Sequence, residues 1–330
     1  MSHYMLLPKI QVQNANAISG LTYGFPGITN FLGFAHALSR KLPNALGVHL
    51  GGILVACHQH QVHAKQPKGW GDYVFALTRN PLTKEGKTAP IVEEGRMNME
   101  VSLLIEVHGL ISGDLETQDA LLDYVQHHAP SMRLAGGQIT TMQKASMVHS
   151  EHTHTIMRRL MPGFVLVDRS DYLIAHYREQ QQTCTQFSML DAWCDFATLT
   201  YEAVTADVNP ENSSTDNEAA NTPQTHAQWR YKAKPNGGYL VPITSGYCAI
   251  SDIHSPGTVT HTRDSDVPAV FAEAAYTVGE WLSPHRLTTI DDAIWRYEHC
   301  YPWYLAKAKP FVEAEAEPEP EAPFDSSNMY

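Results

Sequence analysis

The stretch Met97-Asn-Met-Glu-Val-Ser-Leu-Leu-Ile-Glu-Val constrains the fold most tightly. Met97, Met99, Val101, Leu103, Ile105 and Val107 recur every second residue, the period of a long strand with one face on a core. Tyr73-Val-Phe-Ala-Leu-Thr-Arg reads as another strand, and Asn80-Pro-Leu-Thr-Lys-Glu-Gly-Lys between them is turn chemistry. The expectation is an antiparallel, protruding hairpin near 73–107.

The segments around this hairpin set the fold class. Tyr4-Met-Leu-Leu-Pro-Lys-Ile-Gln-Val-Gln reads as a strand that stops at the turn-forming Asn14-Ala-Asn-Ala-Ile-Ser-Gly. Thr29 is the N-cap candidate for a helix from Asn30 to Leu42, and Pro43 ends it. Gly52 to His63 reads as a second strand, Thr117 to His128 as a second helix, and Leu134-Ala-Gly-Gly-Gln-Ile-Thr as a further strand. This order predicts an α+β protein with a ferredoxin-like or RNA-recognition-motif-like sheet and helices on one face. A parallel doubly wound sheet fits less well, since neither G-x-G-x-x-G nor G-x-x-x-x-G-K-S/T occurs.

Beyond this palm, placed at 1–200, Arg158 to Val167 leads into a strand and Ser188 to Tyr201 reads as a helix. Residues 201–228 read as a flexible acidic loop, 229–312 as the C-terminal part of the globular body, and 313–330 as a disordered acidic tail. The formal charge is −12, with 23 Lys and Arg against 35 Asp and Glu. Eight of the acids lie between Glu179 and Trp229 and six follow Phe311, with no base among either set. The remaining 21 acids therefore face all 23 bases, so the body is mildly basic and a polyanion partner stays open.

No apolar run approaches the roughly 18–20 residues of a membrane span, and the N-terminus does not read as a signal peptide, so the expected location is the cytoplasm. The five cysteines have no Cys-x-x-Cys spacing and fit reduced thiols. His58 with His60, and His152 with His154, have the i, i+2 spacing that points two imidazoles to one side, but third and fourth ligands are missing, so no metal or cofactor is assigned. G-x-S-x-G is absent. His285 in Ser283-Pro-His-Arg is the one candidate general base, weighed against a hydrogen-bonded turn residue. Arg79, Lys84, Lys87, Arg96, Arg133, Arg158 and Arg159 can neutralise phosphates, while Tyr23, Phe25, Trp70, Tyr247 and Trp281 are aromatics on which bases can stack.

Several strings then carry a family resemblance: Ile10-Gln-Val-Gln-Asn-Ala-Asn-Ala-Ile-Ser, Tyr23-Gly-Phe-Pro, Gly33-Phe-Ala-His-Ala-Leu, Leu77-Thr-Arg-Asn-Pro-Leu, Ile91-Val-Glu-Glu-Gly-Arg, Glu100-Val-Ser-Leu-Leu, Met132-Arg-Leu-Ala-Gly-Gly, Leu240-Val-Pro-Ile and Gly279-Glu-Trp-Leu-Ser-Pro-His-Arg. Together they resemble the second Csy subunit of type I-F CRISPR surveillance complexes. The resemblance implies a Cas-five-type palm and thumb without cleavage activity, holding the five-prime handle of the CRISPR RNA with the large Csy subunit, beside a backbone Csy subunit. Target DNA is met only through the assembled complex. The rival expectation is a metal-independent endoribonuclease that processes precursor CRISPR RNA, as some Cas-five relatives do. The expected RNA-contacting residues are Asn14, Asn16, Ser19, Tyr23, Phe25, Arg79, Arg96, Arg133, Gly136, Gly137, Arg158, Arg159, Ser283, His285 and Arg286.

Overall fold

The computed structural model describes residues 3–76, 81–89, 94–149, 153–205 and 227–308. β1 (His3–Asn16) leads through the short pair β2 (Ile18–Ser19) and β3 (Thr22–Tyr23) into α1 (Ile28–Ser39). Next come β4 (His49–Val62), β5 (Ala64–Lys65), β6 (Val74–Phe75), β7 (Arg96–His108), α2 (Leu115–His128), β8 (Arg133–Leu134), β9 (Gly137–Thr141) and β10 (Ser146–His149). The second half carries α3 (Thr153–Arg159), β11 (Phe164–Asp168), α4 (Ser170–Thr183), α5 (Met189–Ala197) and the pair β12 (Thr200–Thr205) and β13 (Ala227–Lys232). It ends in β14 (Leu240–Ala249), β15 (Ala272–Leu282), β16 (Arg296–Cys300) and β17 (Trp303–Lys307). The protein is a mixed α/β fold on one large antiparallel sheet, whose neighbours run β16, β17, β14, β15, β11, β4, β7, β1, β9, β8, with β10 also on β1.

The sequence pattern explains how this sheet is covered. Leu7, Val55, Leu103 and Ile105 face a cluster with Phe31, Leu38, Leu121 and Val125 of α1 and α2. Tyr4, Leu6, Leu54 and Leu104 point the other way, onto Ile156 and Met157 of α3 and onto Leu287, Ile290 and Ile294. Where both faces are covered, the strands read as unbroken apolar runs; where one opens, polar residues alternate, as at Gln11, Gln13, Gln59 and Gln61. A third cluster packs Trp193 and Phe196 of α5 and Leu173 of α4 on Leu240 and Val278.

One pairing and several boundaries differ from expectation, among them the strand expected from Leu134, which a turn at Ala135-Gly136 splits into β8 and β9. β7 does not pair with the 73–79 segment: Val74–Phe75 pairs with Ala64–Lys65, and β7 lies between β1 and β4. Those strands offer long apolar runs on both faces, which Tyr73 and Val74, both exposed, do not. α1 starts at Ile28 behind Gly27, so Thr29 lies inside the helix. α2 starts at Leu115 because Asp114 caps it, accepting from the Thr117 N–H at 3.0 Å. α5 stops at Ala197, behind a capping box between Ser188 and Asp191. β12 and β13 occupy both ends of the segment read as a 201–228 loop. Arg79 and the 313–330 tail lie outside the described residues.

A buried carboxylate ties the two halves of the sheet together. Glu106 of β7 accepts the Gly52 N–H at 2.8 Å and receives the Arg296 guanidinium at 2.6 Å. Arg296 reaches on to Asp291 at 3.0 Å, and Tyr4 Oη donates to the same carboxylate at 3.2 Å. Next to Gly52, Ile53 exchanges both backbone hydrogen bonds with Trp295, each 2.8 Å. The strand path therefore returns from β16 to β4. A Cβ at Gly52 would lie 2.6 Å from Glu106 Oε2 and 2.7 Å from Ile294 Cγ2, so only glycine admits this approach. Glu106→Ala is expected to lower unfolding free energy by about 3 kcal/mol and Gly52→Ala by about 1–3 kcal/mol, read from urea denaturation midpoints.

Candidate nucleic-acid interface

The expected site residues fall into two groups. The first forms where β1 ends. Asn14 has φ 55°, its N–H donates to Asn98 Oδ1 at 3.1 Å, and its carbonyl receives Arg96 Nη1 at 3.4 Å. Asn16 N–H donates to the Ala135 carbonyl at 2.8 Å. Ala135 and Gly136, at φ 49° and 75°, make the two-residue turn of the β8–β9 hairpin, and Arg133 Nη1 donates to the Gly136 carbonyl at 3.2 Å. A side chain at Gly137 would strike the Ala15 nitrogen at 2.7 Å, so glycine lets the hairpin close on β1. Arg96 also pairs with Glu94.

Within this group the residues play different parts. The Asn16 amide donates one N–H to the Ile18 carbonyl at 2.7 Å and accepts the Ile18 N–H at 3.0 Å, so it shapes the turn and keeps its second N–H and a lone pair. Ser19 is buried, and its carbonyl accepts the hydroxyls of Thr22 and Thr244, each at 2.9 Å. Phe25 stacks on Phe31 at 5.6 Å and meets Trp281 edge-on at 4.8 Å. Tyr23 is exposed, edge-on to Phe75.

The second group joins α3 to the turn at Pro284–Arg286, which pack together. Arg158, Arg159, His285 and Arg286 are exposed, and Ser283 Oγ lies 2.8 Å from His285 Nδ1. Among the described residues, none of the three guanidinium groups forms an ion pair.

Sequence reasoning missed the cavity beside the first group. It has a volume of about 570 Å³, and its wall includes Tyr23 and Phe25, His58 and His60 of β4, Phe164, Tyr239 and Trp281. That size suits a small organic group, with aromatic walls and a few polar edges. The i, i+2 spacing of His58 and His60 was the available signal, but His58 is held inside the protein. Its Nδ1–H donates to the Pro162 carbonyl at 2.6 Å, so neutral Nε2 accepts from Ser102 Oγ at 2.7 Å. Ser102 Oγ in turn accepts the Lys9 N–H at 3.0 Å. Burial holds the His58 pKa below the ordinary 6.5. Among the described residues, no three His, Cys, Asp or Glu side chains gather to hold a metal, and no helix is long and apolar enough to cross a membrane.

Fold and site together define an antiparallel-sheet α/β protein with exposed arginines and a strained two-residue turn gathered at one strand end, beside an aromatic-walled cavity. The model of the family described as CRISPR-associated protein (Cas_Csy2) matches residues 5–305. A relative from Pseudomonas aeruginosa (strain UCBPP-PA14), CRISPR-associated protein Csy2, is 39% identical over 314 residues, covering 90% of this chain and 92% of the relative. The chain belongs to this Csy2 family.

The histidine geometry predicts an acid sensitivity. Burial also lowers the His3 pKa, helped by the neighbouring His149 charge. Below about pH 6.5 the unfolded chain therefore takes up protons that His58 and His3 refuse in the fold, and stability falls as pH drops through that value. His58→Gln is expected to cost about 1–2 kcal/mol at pH 7.5 and to flatten, though not abolish, the fall of melting temperature between about pH 6.5 and 5.

Proposed function

We propose that this chain is a non-catalytic, cytoplasmic subunit of a type I-F CRISPR surveillance complex, holding the five-prime handle of the CRISPR RNA together with the large Csy subunit. Family membership supports the setting. The palm assignment rests on topology: β1, α1, β4, β7, α2 and β9 follow the β-α-β-β-α-β order, and β9, β1, β7, β4 lie side by side, all antiparallel. In this reading the connection between β4 and β7, which includes Arg79, is the thumb.

The observation that carries the proposal is the convergence of Arg96 and Arg133 on the Asn14 and Gly136 carbonyls, with Tyr23 and Phe25, further along the same stretch from β1, lining the cavity. Arg96 keeps donors free for phosphate oxygens, and Arg133 keeps four of its five. The cavity's aromatic walls suit an unstacked base, the form in which single-stranded RNA is read. Arg158, Arg159 and Arg286, which have no ion-pair partner among the described residues, add positive charge on a second surface. Guide pairing then reads the target, and this subunit reads the handle.

The test is binding of handle-sequence RNA against a scrambled RNA of equal length, by the chain with its large companion, over a salt series. Arg133→Ala and Arg96→Ala are each expected to weaken handle binding and to lower the salt slope by about one, with unchanged melting temperature. Equal affinity for the scrambled RNA would sink the reading. Cleavage of repeat RNA that disappears in His285→Ala would replace it with the endoribonuclease.

A further inference from the structure

We propose that a trough on the open face of β4, β7 and β1 reads the edge of one unpaired RNA base that carries an exocyclic amino group, and rejects uracil. This inference rests on the reading of the chain as a holder of the five-prime handle, and deepens it from grip on the backbone to recognition of a base.

The trough has a volume of about 220 Å³, and Gln11, Gln13, Gln59, Gln61, Asn98 and Glu100 line it. Register explains how these polar side chains come together. Glu100 of β7 stands opposite Gln11 of β1 on one side and opposite Gln59 of β4 on the other, and Asn98 stands opposite Gln61. Residues directly opposite share a face, so amides flank the carboxylate on both neighbouring strands. Among the described residues, the side-chain amides of Gln13, Gln59 and Gln61 have no hydrogen-bond partner. Glu100 Oε1 lies 3.1 Å from Lys9 Nζ, and Oε2 accepts Gln11 Nε2 at 3.4 Å, which leaves the carboxylate lone pairs to spare.

Chemistry chooses the occupant. Each amide offers a donor beside an acceptor, the pattern that matches a base edge. A phosphate finds no lysine or arginine among the lining residues, and the nearby Lys9 is held by Glu100, whose own charge repels an anion. A protein partner finds no apolar anchor, since Val12 and Met99 at the border of the trough are 1% and 4% exposed. A carboxylate accepts from an exocyclic amino group, as it does from cytosine N4, whereas uracil turns carbonyl oxygens toward it on both sides of a single N–H. Position agrees with this choice. Asn98 Oδ1 accepts the Asn14 N–H at 3.1 Å and the Asn14 carbonyl receives Arg96, so the trough adjoins an arginine assigned to phosphate. His60 borders both the trough and the aromatic-walled cavity. A strand held at Arg96 and reaching into that cavity therefore crosses the amides.

The test measures binding of handle-sequence RNA to the chain with its large companion over a salt series, together with copies in which each nucleotide in turn is made abasic or replaced by uridine. At one position wild type is expected to lose about tenfold on either change. The double variant Gln59→Ala with Gln61→Ala, which alters two exposed side chains, should lose about tenfold on the unaltered handle, keep the wild-type salt slope and melting temperature, and lose nothing further at that position. Glu100→Gln should narrow the uridine penalty there. Unchanged handle affinity in the glutamine variant overturns the trough inference alone, and so does a loss shared by scrambled RNA with a lower salt slope, the mark of a phosphate contact. Full affinity for the uridine copy where the abasic copy is weak overturns the choice of base. Weaker binding of the large subunit by the glutamine variant without RNA overturns the inference in favour of a protein interface. Equal wild-type affinity for handle and scrambled RNA overturns the handle reading beneath it.

Discussion

The Glu106 carboxylate is the constraint on which the rest of the sheet depends. Taking a carboxylate out of water costs several kcal/mol unless donors replace its hydration. Here the donors come from distant parts of the chain: the Gly52 N–H from β4 and the Arg296 guanidinium from β16. Arg296 is shared with Asp291, which also receives the Tyr4 hydroxyl. The ion therefore joins the first strand, the central pair and the last hairpin. Once Gly52 is fixed, Ile53 meets Trp295, whose buried indole donates to the Leu166 carbonyl at 2.9 Å. The strands β4, β11, β15, β14, β17 and β16 follow one another round to where they began.

That closure sets what the far end of β4 does. With its register fixed at Gly52 and Ile53, the strand delivers His58 to Pro162 and Ser102 and turns Cys57, His58 and His60 toward the cavity. Leu166, Val241 and Trp281, from strands of the same circuit, complete the wall. β1 and β7 run out of double cover at the same level, and there their apolar runs give way to Gln11, Gln13, Asn98 and Glu100. The polar end of the sheet, the cavity and the Ala135-Gly136 turn are thus consequences of one limit, the point at which α3 and the 284–294 segment stop covering the second face.

How much of this the sequence disclosed depended on the range of the interaction. The alternation at Met97–Val107 identified β7, because one-sided burial leaves a period-two trace in adjacent residues. Its partners left no such trace. A pairing between 73–79 and 97–107 was the local choice, and the longer, better covered β4 took that edge. The Asp114 cap was missed by three residues for a similar reason, since the cap is decided by a side chain just outside the periodic pattern. The turn at Ala135-Gly136 was not legible: the segment from Leu134 reads as one strand, and a non-glycine residue at positive φ leaves no glycine signal where the hairpin breaks it. The cavity was not legible either, because its walls come from six strands and the loops beside them, spread between residues 19 and 281.

The two arginine groups differ in a way that separates positioning from attraction. Arg96 and Arg133 are each anchored to a backbone carbonyl of a tight turn, so part of the side-chain entropy that a ligand contact demands has already been lost on folding. Their remaining donors point from fixed places, which suits contacts that set the register of a bound strand. Arg158, Arg159 and Arg286 have no ion-pair partner among the described residues, and their long side chains must be ordered by whatever binds. Contacts of that second kind draw a polyanion in without distinguishing one sequence from another. A handle lying across both would be oriented at the β1 end and held in place by charge at α3, and discrimination between RNAs would reside at Asn14, Arg96, Arg133 and the cavity beside them.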